Sequence, residues 1–477
     1  VDSNIIQNTF YNFFLENIAY QVKYRRNKGT TGLLLCGHHQ KHIKLTSESN
    51  SVFVFYKRVK LHNLLSIICI YISIIILFIL IIKHWIINKK VLRGHIIVNN
   101  DISFTDDHIN FKREILIYKQ YLWDFPINYY VMPPVSRENV RTAISEIEKN
   151  TCVKFEEVND ITTLKEGLVF EKGGSCSSYV GHVSKLQRIF LRSECYENPY
   201  KILHEIGHAL GLVHEHSRIG RDKFITIDFL QLNDRGKRNF EIRNSPHYVN
   251  YSTTYDYASI MHYGQYAFSS RWYRLIGRPV IIPKLDHQYS RMMGQRKMVA
   301  FNDFKKINLL YCNACGWVNN DAGQLNPNRQ PSCSYGGYAD FRNCSKCICP
   351  TGYTGKLCRD IISSDPECGN TIFEVNKTEI RLTFEDKKNC YISLKANKPK
   401  KIDMDIVNVN APYDRDTCTE DIAYQIKYRR DRGATGLLLC GYHQIPIRLK
   451  SETSSILIHY KGVDSFSLLI FQYKEAD

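Results

Sequence analysis

The chain has 477 residues and a formal charge of +17, from 64 basic and 47 acidic side chains. That length exceeds the roughly 100 to 200 residues that one hydrophobic core usually serves, so three or four units are expected. The basic residues are spread along the chain with no aromatic-interleaved block, which makes the charge a solvated surface and excludes a nucleic-acid partner. Fourteen of the sixteen cysteines lie beyond residue 150 at spacings that look paired, pointing to an oxidising, extracellular compartment.

Residues 1–60 contain the first copy of an internal repeat. The segment from Glu16 to Val59 matches Glu420 to Val463 at a constant offset, with 27 of 44 positions identical. The later copy carries Cys418 and Cys440, whereas the earlier one has Phe14 in the first place and leaves Cys36 alone. Half a domain cannot bury a core of its own, so residues 1–60 are expected to be a partial repeat, best explained by a gene-model fusion with a neighbouring copy. A working interaction segment is the competing reading. Within 64–87, residues 64 to 82 read LLSIICIYISIIILFILII, an uncharged run long enough to cross a bilayer and flanked by basic residues. This is a membrane anchor or an export signal. Residues 88–113 are polar and irregular and end in Lys112-Arg113, a dibasic pair, so a short pro-segment is expected there.

Beyond it, strand-like runs such as Pro126 to Val131 precede one strong helix. Asn198 followed by Pro199 is a helix start, a capping side chain and then proline at the first helical position. His204 and His208, spaced i, i+4, then project from one face toward a single ion, with Glu205 beside them. Gly211 lets the chain leave the helix through a left-handed conformation and bring His214 round as third ligand. Three neutral imidazoles leave a zinc position open for water, and Glu205 is placed to take its proton as general base. Exposed helix histidines without a metal are the bland alternative. Further on, SIMHYGQYAFS puts Met261 and Tyr263 in a short turn.

HEIGHALGLVHEHSR together with SIMHY resembles the astacin family of metzincin endopeptidases. The likeness runs through GSCSSYVGHVSKLQRIFL and MGQRKMVAFNDFKKINLLYC, and defines a catalytic domain at 114–313. It implies one zinc ion per catalytic domain, Met261 as the packing floor of the site, and Tyr263 as a fifth ligand that swings off to steady the oxyanion. It also implies that Glu215 binds a freed N-terminus at Glu114, and that Asp107, in FTDD, is a pro-segment switch that keeps the precursor silent. The sequence departs from the family pattern between Cys195 and His204, where a glycine and a threonine are missing, and at His216, where glutamine is more usual.

The same resemblance pairs Cys152 with Cys312 and Cys176 with Cys195. Residues 314–359 resemble an EGF-like module, which implies Cys315 with Cys344, Cys333 with Cys347 and Cys349 with Cys358; a zinc-binding cysteine cluster is the rival. Residues 368–474 resemble a CUB domain, with Cys368 paired to Cys390 and Cys418 to Cys440. Sequons at Asn250, Asn343 and Asn376 agree with passage through the secretory route.

The expected fold class is therefore α+β, a zinc-protease domain with a twisted sheet and an active-site helix, then a small disulfide-rich module and a β-sandwich. The expected function is zinc-dependent cleavage of extracellular proteins or peptides. The two C-terminal modules would engage matrix or protein partners, and residues 64–82 would provide any membrane anchoring. The alternative is a catalytically silent adhesion protein on a protease scaffold, against which the intact Glu205 argues.

Overall fold

The structure is a computed structural model and describes residues 119–232, 253–319, 332–413, 417–443 and 446–476. It also describes short segments at 20–23, 33–35, 53–55, 115–116, 234–242, 248–249 and 324–325. Two compact units divide the chain at Ile96. In the first, Tyr20–Lys23 pairs antiparallel with Leu33–Leu35 on one side and Phe53–Phe55 on the other. The apolar run at 64–82, the pro-segment at 88–113 with Asp107, and Glu114 lie outside the described residues. Among the described residues no helix is long and apolar enough to cross a membrane.

The second unit begins with a four-stranded parallel sheet of β1 (Ile127–Val131), β2 (Phe155–Glu157), β3 (Gly167–Lys172) and β4 (Leu186–Leu191), in the order β2-β1-β3-β4. Helix α1 (Arg137–Asn150) starts where the Ser136 hydroxyl accepts from the Asn139 N–H at 3.2 Å. Its Val140, Ala143, Ile144 and Ile147 recur at helical spacing and are buried. They share one core with the inward side chains of the sheet and with Ile202, Leu203 and Ile206 of α2 (Pro199–Ala209). This core holds α2 in place, and α2 carries the site.

A third helix, α3 (Phe301–Tyr311), ends at Cys312, which is bonded to Cys152 just beyond α1. Cys176 is bonded to Cys195. In the following module, Tyr338–Asp340 pairs with Asn343–Ile348 and Tyr353–Thr354 with Asp360–Ile361. Three disulfides clamp it, Cys315 to Cys344, Cys333 to Cys347 and Cys349 to Cys358. So small a module has little core of its own. Its Trp317, Tyr338 and Ala339 are buried in the core formed by the parallel sheet, α1 and α2 instead.

The C-terminal part is a sandwich of two five-stranded sheets. Its strands are β5 (Ile372–Val375), β6 (Ile380–Glu385), β7 (Asn389–Ala396), β8 (Ile402–Ala411), β9 (Tyr424–Lys427), β10 (Leu437–Leu439), β11 (Gly441–His443), β12 (Ile447–Lys450), β13 (Ser455–Lys461) and β14 (Leu468–Glu475). One sheet runs β5-β7-β13-β9-β10. The other runs β6-β14-β8-β11, with β12 also on β8. Alternate burial along β8 and β14 gives each one inward face. Cys368 is bonded to Cys390 and Cys418 to Cys440. The register of the first repeat recurs here: Tyr20 faces Leu35 as Tyr424 faces Leu439, and Gln21 faces Phe55 as Gln425 faces His459.

Candidate active site

The Asn198 side chain accepts from the N–H groups of Tyr200 and Lys201 at 2.9 and 3.2 Å, and Pro199 follows at the first helical position. The helix so started carries His204, Glu205 and His208, all buried. It stops at Leu210, and Gly211 has φ +99°, a conformation that side-chain-bearing residues adopt only with strain. The chain turns there and returns His214 to the other two histidines. One ring nitrogen from each of the three lies within 4.8 Å of the others.

Two of these rings are oriented from outside the cluster. His204 Nδ1 lies 2.8 Å from the Ile260 carbonyl oxygen, and His208 Nδ1 lies 2.7 Å from that of Leu212. A carbonyl only accepts, so each Nδ1 carries the proton and each Nε2 presents its lone pair. His204 Nε2 is buried with no hydrogen-bond partner in the protein, the state expected of a metal ligand. Burial, and then the Arg296 guanidinium, hold His204 neutral; burial, and then His208, do the same for His214. Three convergent imidazoles fit zinc. The other cluster with ligand atoms in reach among the described residues, Cys176, Glu194 and Cys195, has both sulfurs committed to a disulfide. Glu205 and His204 line a cavity of about 150 Å³ with Lys201, Arg192 and Arg296.

Met261 packs beneath α2, where a Cβ on Gly207 would stand 3.2 Å from its sulfur. That contact accounts for the glycine inside HEIGH. The turn is pinned by Asp303 of α3, which accepts from the Ser259 hydroxyl at 2.7 Å and the Ile260 N–H at 2.9 Å. Burial raises the pKa of this carboxyl. Tyr263 sets its ring 4.3 Å from that of His214 and stacks at 4.0 Å on His216, the position where the sequence departs from the family pattern. The tyrosine's backbone carbonyl accepts from His262 Nδ1 at 2.6 Å.

Glu215, fully buried beside His214, accepts from Arg218 at 2.7 Å, Lys306 at 2.9 Å and the Asp256 N–H at 2.9 Å. Burial alone would raise its pKa, but Lys306 and then Arg218 outweigh that and hold it at about 2. Among the described residues the cations on Glu215 are two side chains, and Glu114, whose freed ammonium the sequence suggested as its partner, lies outside those residues. Asp256 accepts from the Thr435 N–H at 2.9 Å and hydroxyl at 3.1 Å, and burial pushes it up to about 7.

The motif residues were legible because the helix and turns bring them together locally. Gly207, Asp256, Asp303 and Lys306 were not singled out in the sequence. Of these only Gly207 carried a signal, as a glycine inside a helix between two ligands.

A helix-borne His-Glu-x-x-His, a third histidine reached through a glycine turn and a methionine packed below define the zinc-protease class called metzincins. Comparison with known proteins narrows this. Residues 116–312 match the family model for the astacin peptidases, and this domain belongs to that family. The zinc metalloproteinase nas-34 of Caenorhabditis elegans is 30% identical over 366 residues, 75% of this chain and 56% of that protein. Blastula protease 10 of Paracentrotus lividus is 30% identical over 370 residues, 75% of this chain and 58% of that protein. Among solved structures, high choriolytic enzyme 1, a hatching-enzyme zinc-protease from medaka, is 26% identical and covers 44% of this chain and 98% of its own, with a TM-score of 0.35. The chain spans a little over half the length of the two curated relatives.

Proposed function

We propose that this chain is a zinc-dependent endopeptidase acting on extracellular proteins or peptides. The observation that carries the reading is the convergence of three buried histidines, two of them oriented by backbone carbonyls, beside the buried Glu205, which lines one cavity with His204. His204, His208 and His214 would hold zinc, which when bound supplies a Lewis acid and makes a coordinated water more acidic. Glu205 would accept a proton at its carboxylate from the water whose oxygen attacks the peptide carbonyl carbon. It then delivers the proton to the leaving nitrogen as the C–N bond breaks. The Tyr263 hydroxyl donates a hydrogen bond to the oxyanion, and Met261 keeps the floor apolar.

Residues 314–359 are read as an EGF-like module and 368–474 as a CUB domain, supported by their bridges and, for the latter, by the paired sheets. The seven disulfides among the described residues suit export to an oxidising compartment. The test is chelation. The oxidised chain should cleave a denatured protein, lose that activity on removal of zinc and regain it when one equivalent per chain is returned; activity that survives chelation would refute the reading.

A further inference from the structure

Three consecutive residues upstream of the methionine turn, Thr254 to Asp256, are held from the C-terminal sandwich. The Thr254 N–H donates to Asp431 at 2.9 Å, and the Thr254 hydroxyl accepts from Arg429 at 2.8 Å. The Tyr255 carbonyl accepts from Arg429 at 2.7 Å, and the Asp256 carboxylate takes both donors of Thr435. Arg429, Asp431 and Thr435 all belong to the loop between β9 and β10.

That loop is tied to the sandwich by its own hydrogen bonds and fits closely against its neighbours. Inside the sandwich, the buried Arg432 donates to the carbonyls of Lys427 and Ser455, and the Gly433 N–H donates to Asp431 at 2.9 Å. Against the protease, a Cβ on Gly433 would stand 2.6 Å from Asn302 Oδ1 and 3.2 Å from Phe301 of α3. Against the six-cysteine module, a Cβ on Gly336 would stand 2.3 Å from Asp431. A junction where three units leave no room for a methyl group is packed like an interior, not like a linker contact.

Two routes lead from the loop to the metal ligands. The Asp256 N–H donates to Glu215, the neighbour of His214. The other Asp256 oxygen accepts the Ala258 N–H at 3.0 Å, and two residues on the Ile260 carbonyl orients His204. We propose that the loop from Arg429 to Thr435 is a positioning element of the protease site, setting Thr254 to Asp256 and through them the methionine turn, Tyr263 and two ligands. The catalytic unit then includes the sandwich. Arg429, Asp431 and Thr435 touch neither substrate nor metal and act through the protein that does. The proposal rests on the endopeptidase reading for its kinetic consequence and on the zinc site alone for its metal-binding one.

The test uses the full chain carrying Arg429→Met, Thr435→Val or Thr435→Ser, with Tyr428→Phe as control. Tyr428 hydrogen-bonds Tyr289 across the same interface and makes no bond to Thr254, Tyr255 or Asp256. Zinc affinity is read by chelator competition, and kcat and KM on a peptide short enough to occupy only the cleft. Small misplacements of catalytic groups cost about tenfold to a hundredfold in rate. Arg429→Met and Thr435→Val should therefore lower kcat by about tenfold and weaken zinc binding, with KM within about twofold. Thr435→Ser should restore both readouts and Tyr428→Phe should leave them unchanged. Unchanged kcat and zinc affinity in Arg429→Met and Thr435→Val would overturn the proposal, as would an equal loss in Tyr428→Phe. If the unsubstituted chain cleaves nothing, the endopeptidase reading fails by itself and the zinc affinities still decide the positioning claim.

Discussion

A carboxylate as buried as Glu215 stays charged only if cations reach it, and Lys306 and Arg218 both do. Removing one partner of such a group leaves an uncompensated buried charge, so Lys306→Met is expected to cost about 3 to 5 kcal/mol in urea unfolding at pH 7. The pH dependence follows from the direction of the shift. With a folded pKa of about 2 against an ordinary 4.5, Glu215 contributes stability that is fully present above pH 4.5 and is lost as pH falls through about 2. The variant and the parent should therefore converge in stability as the pH is lowered through that window. An undiminished gap at pH 2 would contradict the assignment. At this scale the sequence disclosed residues whose roles depend on near neighbours, such as the ligands and Glu205. It did not disclose Lys306, 91 positions from Glu215, or Asp303, 43 positions from Ile260, because only the folded chain makes them neighbours.

Helix α2 was legible from end to end, since its cap, its proline and its closing glycine are local signals that act before any tertiary contact forms. Gly211 is the hinge of the element, and its φ of +99° costs a side-chain-bearing residue about 1 to 2 kcal/mol. Gly211→Ala should lower thermal stability by that order and weaken zinc binding in chelator competition, because His214 reaches the site only through this turn. Wild-type zinc affinity in the variant would show that the turn does not set the ligand. The order β2-β1-β3-β4 was not readable, since parallel neighbours are chosen by crossover connections and burial rather than by strand composition.

For the whole molecule, the sequence suggested modules in series. What it did not convey is that their cores are shared. Tyr255, Tyr257 and Tyr289 of the protease lie in one buried cluster with Tyr428, Leu438 and Cys440 of the sandwich, while Tyr353 and Cys358 pack with Tyr391 and Leu457. Domain faces that bury apolar side chains against each other look, in sequence, like ordinary strand faces. The repeat at Glu16 to Val59 forms strands in the same register as its later copy, which follows from its near-identical alternation of side chains.

The central claim is that this assembly is a zinc endopeptidase with Glu205 as its base, and the most direct measurement compares the zinc-loaded full chain with its Glu205→Ala variant in cleavage of a denatured protein. The account predicts that both bind one zinc per chain and that the variant loses cleavage by about a hundredfold or more. A variant that cleaves like its parent would contradict the base assignment, and a parent that binds zinc yet cuts nothing would make the chain a binding protein on a protease scaffold.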